Sequence, residues 1–126
     1  MRRTTTALAG ILVLGLTTAA AKPSGHSGVY DNIRSFEETG DIVGARVEVF
    51  DGPKPYAVVR ICEGECPEPA KVPATITGDT IAFTYILPSN PPATLHVTGR
   101  FTRRGLMLRT GLDEGEQLLR PGKPYE

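Results

Sequence analysis

The chain has 126 residues, 40% of them hydrophobic, and its fourteen basic and fourteen acidic side chains cancel to a formal charge of zero. Eleven prolines and fourteen glycines exclude a long helical bundle or a coiled coil. The even charge balance excludes a polybasic nucleic-acid binder.

Residues 1–21 read as a signal peptide. Met1-Arg2-Arg3 gives a positive head, residues 7–16 are an apolar stretch of ten, and Ala19-Ala20-Ala21 offers small residues for cleavage before Lys22. A membrane anchor is the rival reading, but the stretch is shorter than the roughly 20 apolar residues a spanning helix needs. Thr4, Thr5 and Thr6 follow the arginine pair where the twin-arginine route calls for bulky apolar residues, so the general secretory route fits better. No later segment is long and apolar enough to span a bilayer, so the expectation after cleavage is a periplasmic or secreted chain that is not membrane-spanning. About 105 residues then remain, the size of one small domain.

The two cysteines frame Cys62-Glu63-Gly64-Glu65-Cys66. In an oxidising compartment such a pair reads as a disulfide, and closing so short a ring stabilises by roughly 2 kcal/mol on the chain-entropy argument. The rivals are a redox pair and half a zinc site. Thioredoxin-type pairs have two intervening residues and open a helix. Zinc needs four ligands, and only the distant His26 and His96 could join the thiols. The expectation is a structural disulfide and no metal or cofactor.

Residues 22–28 are a flexible lead-in, 29–120 a single β-barrel domain, and 121–126 a C-terminal tail. From Val29 onward, β-branched and aromatic runs alternate with turn clusters, and no stretch holds helical spacing. Eight strands are predicted, over Val29–Phe36, Ile42–Phe50, Tyr56–Cys62, Val72–Thr77, Thr80–Leu87, Thr94–Phe101, Leu106–Arg109 and Glu116–Leu119. Glu38-Thr39-Gly40-Asp41, Asp51-Gly52-Pro53-Lys54-Pro55, Gly78-Asp79 and Arg103-Arg104-Gly105 are short turn signals between them. Parallel neighbours would need crossovers of a dozen residues or more, so the fold class is all-β, an antiparallel meander.

Alternation assigns the faces. Val43, Ala45, Val47 and Val49 oppose Arg46 and Glu48, and Leu95, Val97, Gly99 and Phe101 oppose Thr94, His96, Thr98 and Arg100. Pro73 cannot donate to a ladder, so the fourth strand should bulge there or lie at an edge. Closing the meander into a small closed or partly open barrel, rather than a flattened sandwich, removes exposed edges. A barrel of this strand number is filled by side chains or holds one small ligand. The strands are short and the inward set bulky, which favours a filled interior.

The catalytic inventory is thin. Two histidines are present, one in the lead-in and one on a polar strand face, and no nucleophile motif, zincin motif or phosphate loop occurs. Glu37, Glu38, Glu63, Glu65 and Glu68 could suggest paired carboxylates, yet such clusters in turns are usually solvated charge. Residues 22–70 hold five basic and nine acidic side chains, and residues 71–126 hold seven and five. Arg100, Arg103, Arg104 and Arg109 follow one another with no acid between them on a predicted hairpin, a candidate basic patch. Pairing with the acidic half of the same barrel is the structural alternative.

The segments Ser27-Gly28-Val29-Tyr30, Glu37-Glu38-Thr39-Gly40-Asp41-Ile42-Val43-Gly44, Gly105-Leu106 and Glu116-Gln117-Leu118-Leu119-Arg120 resemble a set of small exported bacterial proteins of unassigned function. In architecture alone the chain resembles calycin-type meander barrels, and that resemblance implies a carrier of a small apolar ligand. The residues themselves point to a non-catalytic exported domain that binds another envelope or extracellular macromolecule and no nucleic acid. Its expected interaction surface is the Arg100 to Arg109 hairpin with the disulfide-held Glu63 to Glu65 turn, because a stapled turn loses less freedom on binding. An apolar-ligand carrier is the alternative, and a small hydrolase using the acidic turns the third reading.

Overall fold

A computed structural model describes residues 25–123, so the expected leader at 1–21 lies outside the described residues. Ten strands form one antiparallel sheet: β1 (Gly28–Asp31), β2 (Arg34–Ser35), β3 (Ile42–Phe50), β4 (Tyr56–Gly64), β5 (Ala70–Pro73), β6 (Thr75–Thr77), β7 (Thr80–Leu87), β8 (Ala93–Thr102), β9 (Gly105–Arg109) and β10 (Gln117–Pro121). Their order is β5-β4-β3-β1-β10-β9-β8-β7-β6, with β2 beside β3. The expected meander is thus the observed topology. Pairing of β1 with β10 joins the two ends of the domain and bends the sheet into a nearly closed barrel.

The count exceeds eight because two expected strands are each split in two. The first breaks at Asn32-Ile33. Asp31 Oδ1 accepts the Ile33 N–H at 2.7 Å, and Asn32 substitutes its side chain for backbone in the ladder. Its N–H donates to Ala45 O at 3.1 Å while its Oδ1 accepts the Ala45 N–H at 2.7 Å. The bulge lies directly over Gly44, which has φ +124° and no room for a Cβ. The fourth expected strand breaks at Ala74, next to the proline that was expected to disturb it. There the chain passes from β4 to β7: the Ala74 N–H donates to Pro55 O at 3.1 Å, the next pair of the β4–β5 ladder beyond Tyr56↔Pro73.

The barrel interior is filled. Val47, Val49, Val59, Ile81, Tyr85, Val97, Leu106, Leu108 and Leu119 are each at most 1% exposed. Even a methyl group at Gly99 would meet Leu106 Cδ1 at 2.8 Å and Ile81 Cγ2 at 3.0 Å. Tyr85 is the one buried inward phenol of this set. Burial pushes its pKa up, partly offset by a backbone hydrogen bond at Ile61 and by the Arg60 charge.

The lead-in was expected to be unfixed, but from His26 onward it is tied down. His26 Nε2–H donates to Gly78 O at 2.8 Å, its ring stacks on Phe101 at 4.1 Å, and Tyr30 donates its hydroxyl to His26 O. At the other terminus the ladder runs to Pro121, and the Gly122 N–H continues it to Val29 O.

Strand direction sorts the connections into two ends. Links 51–55, 78–79 and 103–104 meet at one end, with His26 and Lys123. Links 36–41, 65–69, 88–92 and 110–116 meet at the other.

Candidate interaction surface

The four arginines divide into a pair on the wall and a pair at a tip. Register sets Arg100 opposite Met107 and Arg109 opposite Thr98, on the outer face of β8 and β9. Glu116, just ahead of β10, reaches both, at 3.5 Å from Arg100 and 3.8 Å from Arg109. Arg109 also donates to Glu114 O at 2.8 Å. The wall arginines are therefore neutralised in part by an acid from their own half of the chain, not from the acidic half. Both are about half exposed, and pairs of that kind contribute about 1 kcal/mol or less.

Arg103 and Arg104 occupy the two-residue turn between β8 and β9 and are exposed. Thr102 Oγ1 fixes that turn, donating to Gly105 O at 3.0 Å and accepting the Arg104 N–H at 3.1 Å.

Cys62 and Cys66 form a disulfide, with their sulfurs 2.13 Å apart. Between them Gly64 takes φ +97°, which a glycine adopts without steric cost, and Glu63 N–H donates to Glu65 O at 3.2 Å. Both glutamates point to solvent. They lie at the 65–69 end of the barrel, whereas Arg103 and Arg104 lie at the opposite end. The surface expected to combine the arginine hairpin with the stapled turn is thus two separate surfaces.

Charge is sorted along the barrel axis as well, and across the two halves of the sequence. The four links at the disulfide end hold Glu37, Glu38, Asp41, Glu65, Glu68, Asp113, Glu114 and Glu116 and no lysine or arginine. The links at the other end hold Asp51 and Asp79 against Lys54, Arg103 and Arg104. Such a field orients a charged partner during approach.

Two clefts open at the disulfide end. The larger, about 680 Å³, runs from Asn32 and Asp41 past Glu63 to Thr110, Leu112 and Gln117. Asn32 Nδ2 donates to Gln117 Oε1 at 2.8 Å across its floor. The buried Thr110 Oγ1 accepts the Leu112 N–H at 3.2 Å and so holds Leu112, a partly exposed apolar side chain, at its rim. The smaller cleft, about 320 Å³, lies between Glu63, Glu65 and Pro67 on one side and Leu87, Pro88 and Ser89 on the other. Among the described residues no group of three or more His, Cys, Asp or Glu side chains is arranged to hold a metal ion. The carboxylates of that end are spread over three of its four links.

Reading the sequence alone missed Asn32, Thr110, Leu112 and Gln117 as neighbours, because two segments far apart in the chain, the β1–β2 break and the link into β10, bring them together. It also placed no weight on Pro67 and Pro69, two prolines at alternate positions leading into a strand. That pattern marks backbone without donors at a sheet edge.

No protein-family model matches the chain, and neither a curated protein nor a solved structure is detectably similar to it.

Proposed function

We propose that the protein is an exported recognition domain that engages another envelope or extracellular macromolecule through the disulfide end of its barrel. The observation that carries this reading is the ring of acidic links around the two clefts of the disulfide end, set against an interior filled by the chain's own side chains; a cleft of about 570 Å³ between Phe50, Tyr56 and Lys54 at the other end has no such ring. A filled barrel has no room for the apolar ligand of a carrier. The disulfide supports an oxidising compartment, periplasmic or secreted, in line with the leader read from the sequence. No helix among the described residues is long and apolar enough to cross a membrane.

The test is position-specific photocrosslinking in exporting cells, with the crosslinking residue placed either at Asp113 or at Arg104. Adducts formed from Asp113 and absent from Arg104 are the expected result. Adducts from Arg104 alone, or from neither site, would overturn the assignment. So would saturable one-to-one uptake of a fluorescent fatty acid by the purified protein, since that requires an internal cavity.

A further inference from the structure

Phe50 closes β3 and Tyr56 opens β4, and register sets them directly opposite one another on the outer wall. Their rings stack with centroids 4.5 Å apart and planes within 12°. On the β5 flank Lys71 Nζ sits 4.3 Å over the Tyr56 ring, so Tyr56 is held between a ring and an ammonium. Phe50 has a different neighbour on the β1 flank. There stands Ser27, a small side chain whose Oγ accepts the Asp51 N–H at 2.9 Å. The aromatic pair therefore meets an open cleft, with Ser27 and the 51–55 link forming the rest of its lining.

Asp51 supplies a second and independent observation. It lines the same cleft, and its Oδ2 is buried with no hydrogen-bond partner among the described residues. A buried acceptor left unpaired costs free energy until a donor reaches it. The link that carries it is loosely held, since a Cβ on Gly52 would meet nothing within 4 Å. A ligand donor in the cleft reaches the carboxylate by displacing that link a little.

The charges around the rings narrow the ligand. Asp51 disfavours an anion, while Lys54 at the mouth and Lys71 beside Tyr56 disfavour a cation. A neutral ligand remains, one with an apolar face for the rings and donors on its edge for the carboxylate. A proline-rich segment also stacks on aromatic side chains, but its prolines have no N–H to give. A pyranose offers both, with C–H groups on one face and hydroxyls around its rim. We propose that this cleft is a saccharide subsite, in which one sugar ring lies against the Phe50 and Tyr56 pair and donates a hydroxyl to Asp51. The subsite lies at the opposite end from the acidic clefts and stands independently of the function proposed for them. In the sheet β1 and β10 separate its link from the 103–104 turn, so a crosslinker at Arg104 does not report on it.

The probes are cellotetraose, maltotetraose and chitotetraose, each titrated against the oxidised full chain and followed by saturation transfer to the sugar protons and by backbone amide shifts. At least one should give saturable shifts with a Kd of about 1 mM or below, confined to the amides of Ser27, Phe50 to Lys54 and Tyr56, with transfer strongest to the ring C–H protons. Phe50→Leu keeps apolar bulk without the ring and should weaken binding about fivefold or more. Asp51→Asn, which removes the charge from the acceptor, should weaken it several-fold. Asp113→Asn, at the disulfide end, should leave binding unchanged. Urea midpoints check that the variants fold, and if Phe50→Leu does not, Asp51→Asn decides. Absence of saturable shifts with all three sugars, shifts centred on the disulfide end, or parental affinity in Asp51→Asn overturns the subsite. So does a proline-rich decapeptide that shifts these amides where no sugar does. None of these failures touches crosslinking from Asp113, which tests the other end alone.

Discussion

Along β7 and the middle of β8, every inward residue is buried and every outward one exposed, whereas the outward residues of β3 and the first part of β4 are half-buried. The difference lies in what covers the outer wall. In the half built from β1 to β5, Arg46 bridges Asp31 at 2.8 Å and Lys123 O at 2.6 Å, Phe50 stacks on Tyr56 at 4.5 Å, and Lys71 Nζ sits 4.3 Å over the Tyr56 ring. Long side chains there form a second layer outside the barrel. The half built from β6 to β10 has mostly threonines and other exposed side chains outside, so its stability rests on the interior and on tight backbone contact.

Two glycines, one in each half, test this contrast at its largest expected effect. At Gly105, with φ +140°, a Cβ would fall onto Leu119 O, with Arg120 Cα at 3.1 Å behind it. At Gly44 it would lie 2.7 Å from Asn32 O and Oδ1. Gly105→Ala should cost about 3 kcal/mol or more, because the obstacle is backbone of β10 and cannot rotate away. Gly44→Ala should cost somewhat less, since the Asn32 bulge can partly yield. Urea unfolding midpoints measure both. A loss below about 1 kcal/mol at Gly105 would mean that β9 and β10 separate easily and that close backbone contact does not hold the second half together.

The sequence showed the second half more clearly than the first, for the same reason. Alternation is visible where the outer face is small and polar, as in Thr80 to Leu87 and Thr94 to Phe101, because burial alone then decides which residue goes where. Between Val29 and Phe36 the chain is interrupted by Asn32, whose side chain replaces a backbone acceptor of its own strand opposite Ala45 of β3, a residue 13 positions away. No local pattern announces that substitution. The break at Ala74 was half legible, through Pro73, but the turn of β5 toward β4 depends on Pro55 O, a long-range acceptor. Charge was legible as a difference between halves of the sequence, while its true axis, from end to end of the barrel, required the strand directions. Hence the arginine hairpin and the Glu63 to Glu65 turn were identified individually as surface features, and their separation was not.

Asn32 sharpens the comparison at an intermediate scale. Asn32→Ala removes the hydrogen bonds to the Ala45 N–H and to Gln117 Oε1 and should cost about 2 kcal/mol, chiefly by leaving a backbone donor unsatisfied. Thr98→Ala, on the outer wall of β8, should stay within about 0.5 kcal/mol. Asn32→Asp, which keeps the acceptor for Ala45 and loses the donor to Gln117, should fall between them. Equal losses at Asn32 and Thr98 would show that the first half does not depend on polar cross-links.

The smallest effect concerns a tyrosine from each half. Burial raises the pKa of Tyr30, and burial likewise raises that of Tyr85, where the Ile61 backbone and the Arg60 charge work in the opposite direction. A phenol whose folded pKa lies above its unfolded value keeps its proton in the native state while the unfolded chain ionises. The stability it contributes is complete below the unfolded pKa near 10 and is lost as pH rises through the folded value. Unfolding free energy should therefore decline above about pH 10, by no more than about 1.4 kcal/mol per pH unit for each phenol. Tyr30→Phe and Tyr85→Phe should each flatten that decline when compared with the parent protein's own slope.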